Sequence, residues 1–191
     1  SAGDRASLHT AVAKALDDHV KIENPFSDPG LGDGMGGDGV GYSIAISGNT
    51  ALIGAPYDYI GGIEYQGSVY VFIHRDGAWV QEAKLIADDG ATQDFFGGSV
   101  AVFGDTAFVG APRDNVGSNV DQGSVYVFTR SDGAWTQRTK LTANDGAMDD
   151  YFGVSVALSG DAAIVGASGD DVGGNFDQGS AYVFTRVGDN W

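Results

Sequence analysis

The chain has no cysteine, which removes disulfides, thiolate metal sites and a cysteine nucleophile from consideration. Basic residues are scarce: 10 Lys and Arg stand against 26 Asp and Glu, for a net charge of −16. Nucleic acid needs a basic surface to meet its phosphates, and an anionic membrane asks for the same, so neither is expected as a partner. An acidic surface offers solubility and a field that gathers divalent cations. No apolar run approaches the roughly 18 residues of a membrane helix, so membrane insertion is not expected either. No signal peptide is visible, and the chain begins at Ser1 instead of Met, in keeping with an upstream segment removed or left out.

What is present in quantity is glycine, 31 residues, with 8 tyrosines and 10 phenylalanines. That balance suits short strands and tight turns. It is also ordered: FFGGSVAVFGDTAFVGAP at 95–112 returns as YFGVSVALSGDAAIVGAS at 151–168 and stands as GVGYSIAISGNTALIGAP at 39–56, a period of 56 residues. A strict period makes this a repeat protein, to be read as copies of one unit. Strand one covers 41–47, 97–103 and 153–159, alternating with period two. A two-residue turn with Gly in first place follows, as a type II′ hairpin requires. Strand two (50–55, 106–111, 162–167) is nearly all apolar and reads as buried on both faces. Strand three (67–72, 123–128, 179–184) leads through a D-G turn in the first two copies to strand four (78–87, 134–143), which the third copy lacks.

Four antiparallel strands per unit is the arithmetic of a β-propeller blade. The expected fold is all-β, with three propeller-type blades at 40–95, 96–151 and 152–191, the last incomplete. Before them stands an arm, 1–39. Leu8, Val12, Leu16 and Val20 give an apolar stripe that predicts a helix over 4–20. HVKIENPF (19–26) alternates as a short strand, and a glycine-rich loop follows. Within that loop GDGMGG matches a dinucleotide fingerprint literally but lacks the strand and helix the fingerprint needs.

Phe96-Gly97, Phe152-Gly153 and the Gly-Ala-Pro of 54–56 and 110–112 resemble the FG-GAP repeat, the blade unit of integrin α-chain propellers and of many bacterial surface and secreted proteins. The resemblance covers about 150 of 191 residues. It implies a propeller fold, an extracellular setting, and binding or scaffolding instead of catalysis. Two departures stand out: Val40 replaces the first Phe, and Ser168 replaces the third Pro. Integrin-like units also carry a calcium loop between strands one and two, where this chain has only a two-residue turn, so that site is not carried over.

Other acidic loops are candidates for Ca2+, a cation that wants six to eight oxygens. Asp114, Asn119 and Asp121 recur as Asp170, Asn175 and Asp177; Asp89 and Asp94 recur as Asp145 and Asp150. Asp and Asn also close turns on their own backbone, so ordinary turn chemistry is the competing reading. No catalytic set survives the repeat. Ser43, Ser99 and Ser155 hold one strand position without a nucleophile elbow, and His74 stands where the other copies have Arg130 and Arg186. The recurring Tyr, Phe and Trp of strands three and four read as packing between blades, with a sugar-stacking face as the rival.

The expected function is therefore that of a non-catalytic, extracellular, self-associating structural protein, a subunit of a ring or filament completed by strand exchange between copies. Leu8, Val12, Leu16, Val20 and Ile22 of the arm and Trp191 at the open edge are the expected self-association residues. The alternative is an adhesive head, cut from a longer propeller, that takes an extracellular protein or glycan ligand.

Overall fold

The structure, a computed structural model, describes residues 37–191, and among them there is no helix. Eleven strands run in order: β1 (Ile44–Ser47), β2 (Thr50–Ala55), β3 (Ser68–Arg75), β4 (Ala78–Leu85), β5 (Ser99–Phe103), β6 (Thr106–Ala111), β7 (Ser124–Ser131), β8 (Ala134–Leu141), β9 (Phe152–Ser159), β10 (Ala162–Ala167) and β11 (Ser180–Thr185). They form two four-stranded sheets, β1-β2-β3-β4 and β5-β6-β7-β8, and a three-stranded sheet, β9-β10-β11, all antiparallel. This is the antiparallel blade meander expected from the repeat, with three strands of the third blade described. The predicted helix over 4–20, the strand over 19–26, and Leu8, Val12, Leu16, Val20 and Ile22 lie outside the described residues.

The turns follow from their residues. Gly48, Gly104 and Gly160 take φ near +57 to +59° at the strand one–strand two corner. Asp76-Gly77 and Asp132-Gly133 both take positive φ, as a type I′ turn between strands three and four demands. Strand one is shorter than expected in the first two blades, beginning at Ile44 and Ser99, although Gly41 (φ 92°) and Gly97 (φ 89°) share their conformation with Gly153 (φ 91°) of the third. In the third blade it begins early, at Phe152, with a register shift at Gly166/Ala167. Strand three runs further than expected, through Arg75 and Ser131 to the turn itself.

Alternation along each strand sends one set of side chains to the preceding blade and the other to the next. Tyr126 and Phe128 join Leu52, Val69, Val71 and Leu85 in a core between the first and second blades. Val125, Val127 and Phe108 meet Ala163, Val165, Tyr182 and Phe184 in the core between the second and third. The Phe of each Phe-Gly pair is the plug. Phe96 is fully buried edge-on to Tyr126 and Phe128 (5.4 and 6.0 Å), and Phe152 repeats this on Tyr182 and Phe184 (5.3 and 6.0 Å). Burying such a ring is worth roughly 1.5–3 kcal/mol.

The glycines of the motif let the backbones touch. A Cβ on Gly54 would stand 2.1 Å from the Gly97 carbonyl oxygen, and one on Gly110 would stand 2.0 Å from that of Gly153. Ser43 and Ser99 use the same closeness, donating to the Gly97 and Gly153 carbonyls at 2.7 Å each. The strand-one serines are thus bolts between blades. Gly110→Ala is expected to cost about 3 kcal/mol, the upper range of overpacking, or to prevent folding. Gly104→Ala, with open space at its Cβ, strains only φ and should cost about 1–2 kcal/mol. Urea unfolding of both variants checks this, and equal small losses would refute the close-approach account.

Candidate functional site

Each blade opens strand three with Ser-x-Tyr, which puts the hydroxyl and the ring on one face at period two. The loop after strand two brings an aspartate beneath them. It is pinned by its own backbone: Asp58 and Asp114 donate N–H to the Ala55 and Ala111 carbonyls, and their carbonyls accept from Gly67 and Gly123. In the first blade Ser68 and Tyr70 donate to Asp58 Oδ2, at 2.5 and 3.3 Å. In the second, Ser124 and Tyr126 donate to Asp114 Oδ2; in the third, Ser180 and Tyr182 donate to Asp170 Oδ2.

Strand four supplies the cation. Lys84 stands opposite Tyr70, and Lys140 opposite Tyr126. Lys84 Nζ reaches Asp58 at 2.7 Å. Lys140 Nζ reaches Asp114 at 2.6 Å and Asp89 at 2.7 Å, while Tyr126 also donates to Asp89 at 2.8 Å. Asp89 belongs to the connector from the first blade, so this clasp ties one blade to the next. Burial works against both ammonium groups, yet the bonds and charges of their aspartates outweigh it and hold the lysines above their usual range. Burial likewise opposes ionisation of Asp89, and Lys140 and Tyr126 override it and hold that carboxyl low. Burial, followed by the neighbouring carboxylates, pushes the Tyr126 hydroxyl far up, so it stays a donor.

This arrangement decides how the expected calcium ligands are used. Asp89 and Asp114 share the Lys140 ammonium. Asp94 and Asp150 turn inward to accept the N–H groups of Ala91 and Ala147, both at 2.6 Å. Asn119 donates to Gln122 Oε1 and the Gly146 carbonyl, and Asn175 donates to Gln178 Oε1. Asp121 and Asp177 donate backbone N–H to the Asn115 and Asp171 side chains. Asp145 accepts from Tyr182 at 2.9 Å and Asp170 from Ser180 and Tyr182, without a lysine among the described residues. No group of three or more His, Asp or Glu suited to a metal ion occurs among the described residues. The contacts of Asp94, Asp150, Asn119 and Asn175 are those of turn chemistry.

Trp191 lies edge-on to Phe108 at 4.8 Å and joins the core between the second and third blades. Of the aromatics offered as a sugar-stacking face, Tyr70, Phe72, Tyr126 and Phe128 are packed, at most 6% exposed, and Trp79, Trp135, Tyr182, Phe184 and Trp191 are partly buried. The Ser–Tyr–Asp–Lys clasp itself went unread in the sequence. Its signal was present, since Asp58 to Lys84 and Asp114 to Lys140 are both 26 residues apart.

A second feature lies where the three blades converge. A cavity of about 410 Å³ is lined by equivalent positions, Tyr42, Gly98 and Val154 with Pro56, Pro112 and Ser168, and by Tyr57, Phe95 and Tyr151. Tyr57 meets Phe95 edge-on at 5.6 Å, and the Arg113 guanidinium lies 5.2 Å from the Phe95 ring centre.

Comparison with known proteins gives one family and a set of partial relatives. The family described as FG-GAP repeat matches residues 31–72, 79–128 and 135–184. Integrin alpha-7 of Rattus norvegicus is 32% identical over 127 residues, covering 62% of this chain and 11% of its own length. Integrin alpha-6 of Homo sapiens is 30% identical over 142 residues, 73% of this chain and 12% of its own; integrin alpha-6 of Gallus gallus is 28% identical over 141 residues, 72% and 13%. The chain thus spans only about an eighth of the length of these relatives.

Burial raises the Asp94 carboxyl from 3.8 to about 6. Between those values the folded chain binds a proton that the unfolded chain has lost, so this group makes the protein less stable as pH rises from about 4 to 6. Asp94→Asn should therefore gain up to about 2–3 kcal/mol relative to the parent at pH 7 and little at pH 4. Urea unfolding at both pH values measures it; an equal effect at both would sink the assignment.

Proposed function

The chain belongs to the FG-GAP repeat family, and from that membership we propose that it is a non-catalytic, extracellular module that works by association, stacking its blades on those of other copies. One observation carries this reading. The two outer faces of the blade row are apolar and repeat the faces that pack inside it. Ile44 and Ile46 are 75% and 67% exposed, while their equivalents Val100 and Val102 are buried against the first blade at 8% and 7%. At the other end Ile164 and Val183 are 49% and 71% exposed, while Phe108 and Val127 are buried at 0% and 1%. Faces that fit inside the row are complementary between copies, and head-to-tail contact of this kind gives a ring if it closes and a filament if it does not.

The extracellular setting follows from the family resemblance. The absence of catalysis is supported by how the candidate groups are used: the Ser43 and Ser99 hydroxyls bolt blades together, and His74 packs on Trp79 at 5.2 Å. A second reading, an adhesive head within a longer propeller, is favoured by the aromatic cavity around Tyr57 and Phe95, whose concave apolar walls suit an extracellular protein or glycan ligand. In the first two clasps the Lys84 and Lys140 ammonium groups meet the aspartates, and the proposed function assigns calcium no role there.

Light scattering across a concentration series tests the main reading. The full chain should exceed its 19.7 kDa monomer mass and grow with concentration, and Ile46→Asp should return it to monomers. A parent chain monomeric at every concentration would overturn self-association. A chelator is expected to leave the melting temperature unchanged, and a fall of several degrees would return calcium to the acidic loops.

A further inference from the structure

One pair of counterpart positions carries opposite charge in the two interfaces between blades. Between the first and second blades, Arg130 Nε and Nη2 hold Asp105 at 2.7 and 2.6 Å. Its Nη1 donates to Glu82 Oε2 of β4 at 3.0 Å, and Trp135 Nε1 donates to the same oxygen at 3.0 Å. The Glu82 carboxylate is thus seated between a guanidinium edge and an indole N–H. The Arg130 guanidinium lies 5.2 Å from the Trp135 ring centre and fixes the pair.

One period later the donors recur and the acceptor does not. Arg186 Nε and Nη2 hold Asp161 at 2.8 and 2.6 Å, and its guanidinium lies 5.9 Å from the Trp191 ring centre. In place of Glu82 stands Arg138, whose Nε donates to the Thr129 hydroxyl at 2.6 Å. Among the described residues, neither Arg186 Nη1 nor the Trp191 indole meets an acceptor, and Arg138 meets no carboxylate. Each residue of the first seat has its counterpart in the second, so the difference lies in Arg138 itself. A cavity of about 340 Å³ opens here, lined by Arg130, Arg138, Arg186, Thr129 and Trp191. Two acids also line it: Asp105 is taken up by Arg130, and Asp189 pairs with none of the three guanidiniums. Arg138 and Arg186 are exposed, so solvent reaches the seat.

We propose that this cavity seats the carboxylate of a Glu or Asp side chain presented by a protein ligand, held by Arg186 Nη1, the Trp191 indole N–H and Arg138. Glu82 in the first interface is the pattern for it, an acidic side chain on the same two donors. Guanidinium forks match a carboxylate with parallel, charge-assisted bonds, and an anion between Arg138 and Arg186 offsets their mutual repulsion. The net charge of −16, with Asp105 and Asp189 beside the seat, repels a polyanion, so a single carboxylate fits better than a sulfated or phosphorylated chain. The site goes beyond blade stacking and does not depend on it, since stacking uses the outer faces of the row.

The 3 tryptophans give the readout. The full chain, isotope-labelled at the indole nitrogens, is titrated in NMR with acetyl-glutamyl-amide, whose only charge is its side-chain carboxylate, and with the neutral glutaminyl analogue. The glutamyl compound should shift the Trp191 indole N–H saturably and leave Trp79 and Trp135 in place; the glutaminyl compound should shift none. Arg138→Glu should weaken binding about tenfold or more without lowering the urea midpoint, because its own carboxylate takes the seat as Glu82 does. Arg138→Gln, which keeps the other two donors, should also weaken it. An unmoved Trp191 indole, equal movement of all three, or binding undiminished in either variant would overturn the inference and leave blade stacking standing. Glucuronate held about tenfold more tightly than acetyl-glutamyl-amide would overturn the side-chain source in favour of an acidic sugar.

Discussion

The close passage of backbones where Gly54 meets Gly97 and Gly110 meets Gly153 is the constraint on which the rest of the structure depends. With no side chain on either strand, the inner edge of one blade lies against the next within hydrogen-bond reach. Ser43 and Ser99 then bolt the contact, and Phe96 and Phe152 enter the space between sheets as plugs. A single methyl at Gly110 would push those blades apart and uncover the core they share. The FG-GAP motif is thus a packing rule: its glycines bring backbones together and its phenylalanine fills what remains.

Electrostatics repeat on the same frame. An excess of 16 negative charges would strain a compact fold if the carboxylates lay unanswered. Of the four buried aspartates among the described residues, Asp58 is answered by Ser68, Tyr70 and Lys84 and Asp114 by Ser124, Tyr126 and Lys140, while Asp94 and Asp150 accept the N–H groups of Ala91 and Ala147. Breaking such a pair by removing one partner leaves a buried charge, which is costlier than the pair is worth. Lysine is the economical choice for this chain, since it arrives with strand four and needs no ion from solution.

How much was legible can be judged from particular residues. The strand order, the buried second strand and the II′ and I′ turns followed from periodicity and from Gly and Asp-Gly placement, because those signals are local. Strand-one boundaries did not: Gly41, Gly97 and Gly153 are alike in sequence position and in φ, yet β1 and β5 begin after that glycine while β9 begins before it, where Phe152 pairs with Ala167. The acidic loops were legible as a pattern but not in their chemistry. Asp89 and Asp114 are 25 residues apart in the chain, and only folding places both on Lys140, 51 and 26 residues further on.

The sequence by itself determined the unit, its period and the family, because a repeat encodes one blade's alternation and turns three times over. It also determined that Trp191 is the counterpart of Trp79 and Trp135. Tertiary structure alone decided which partners the repeated residues take: serines became bolts between blades, Trp191 became a core residue on Phe108, and carboxylates offered for a metal met hydroxyls and ammonium groups. The physical reason is range. Turn and strand preferences act between neighbours in sequence, whereas burial, charge pairing and close backbone contact act between neighbours in space.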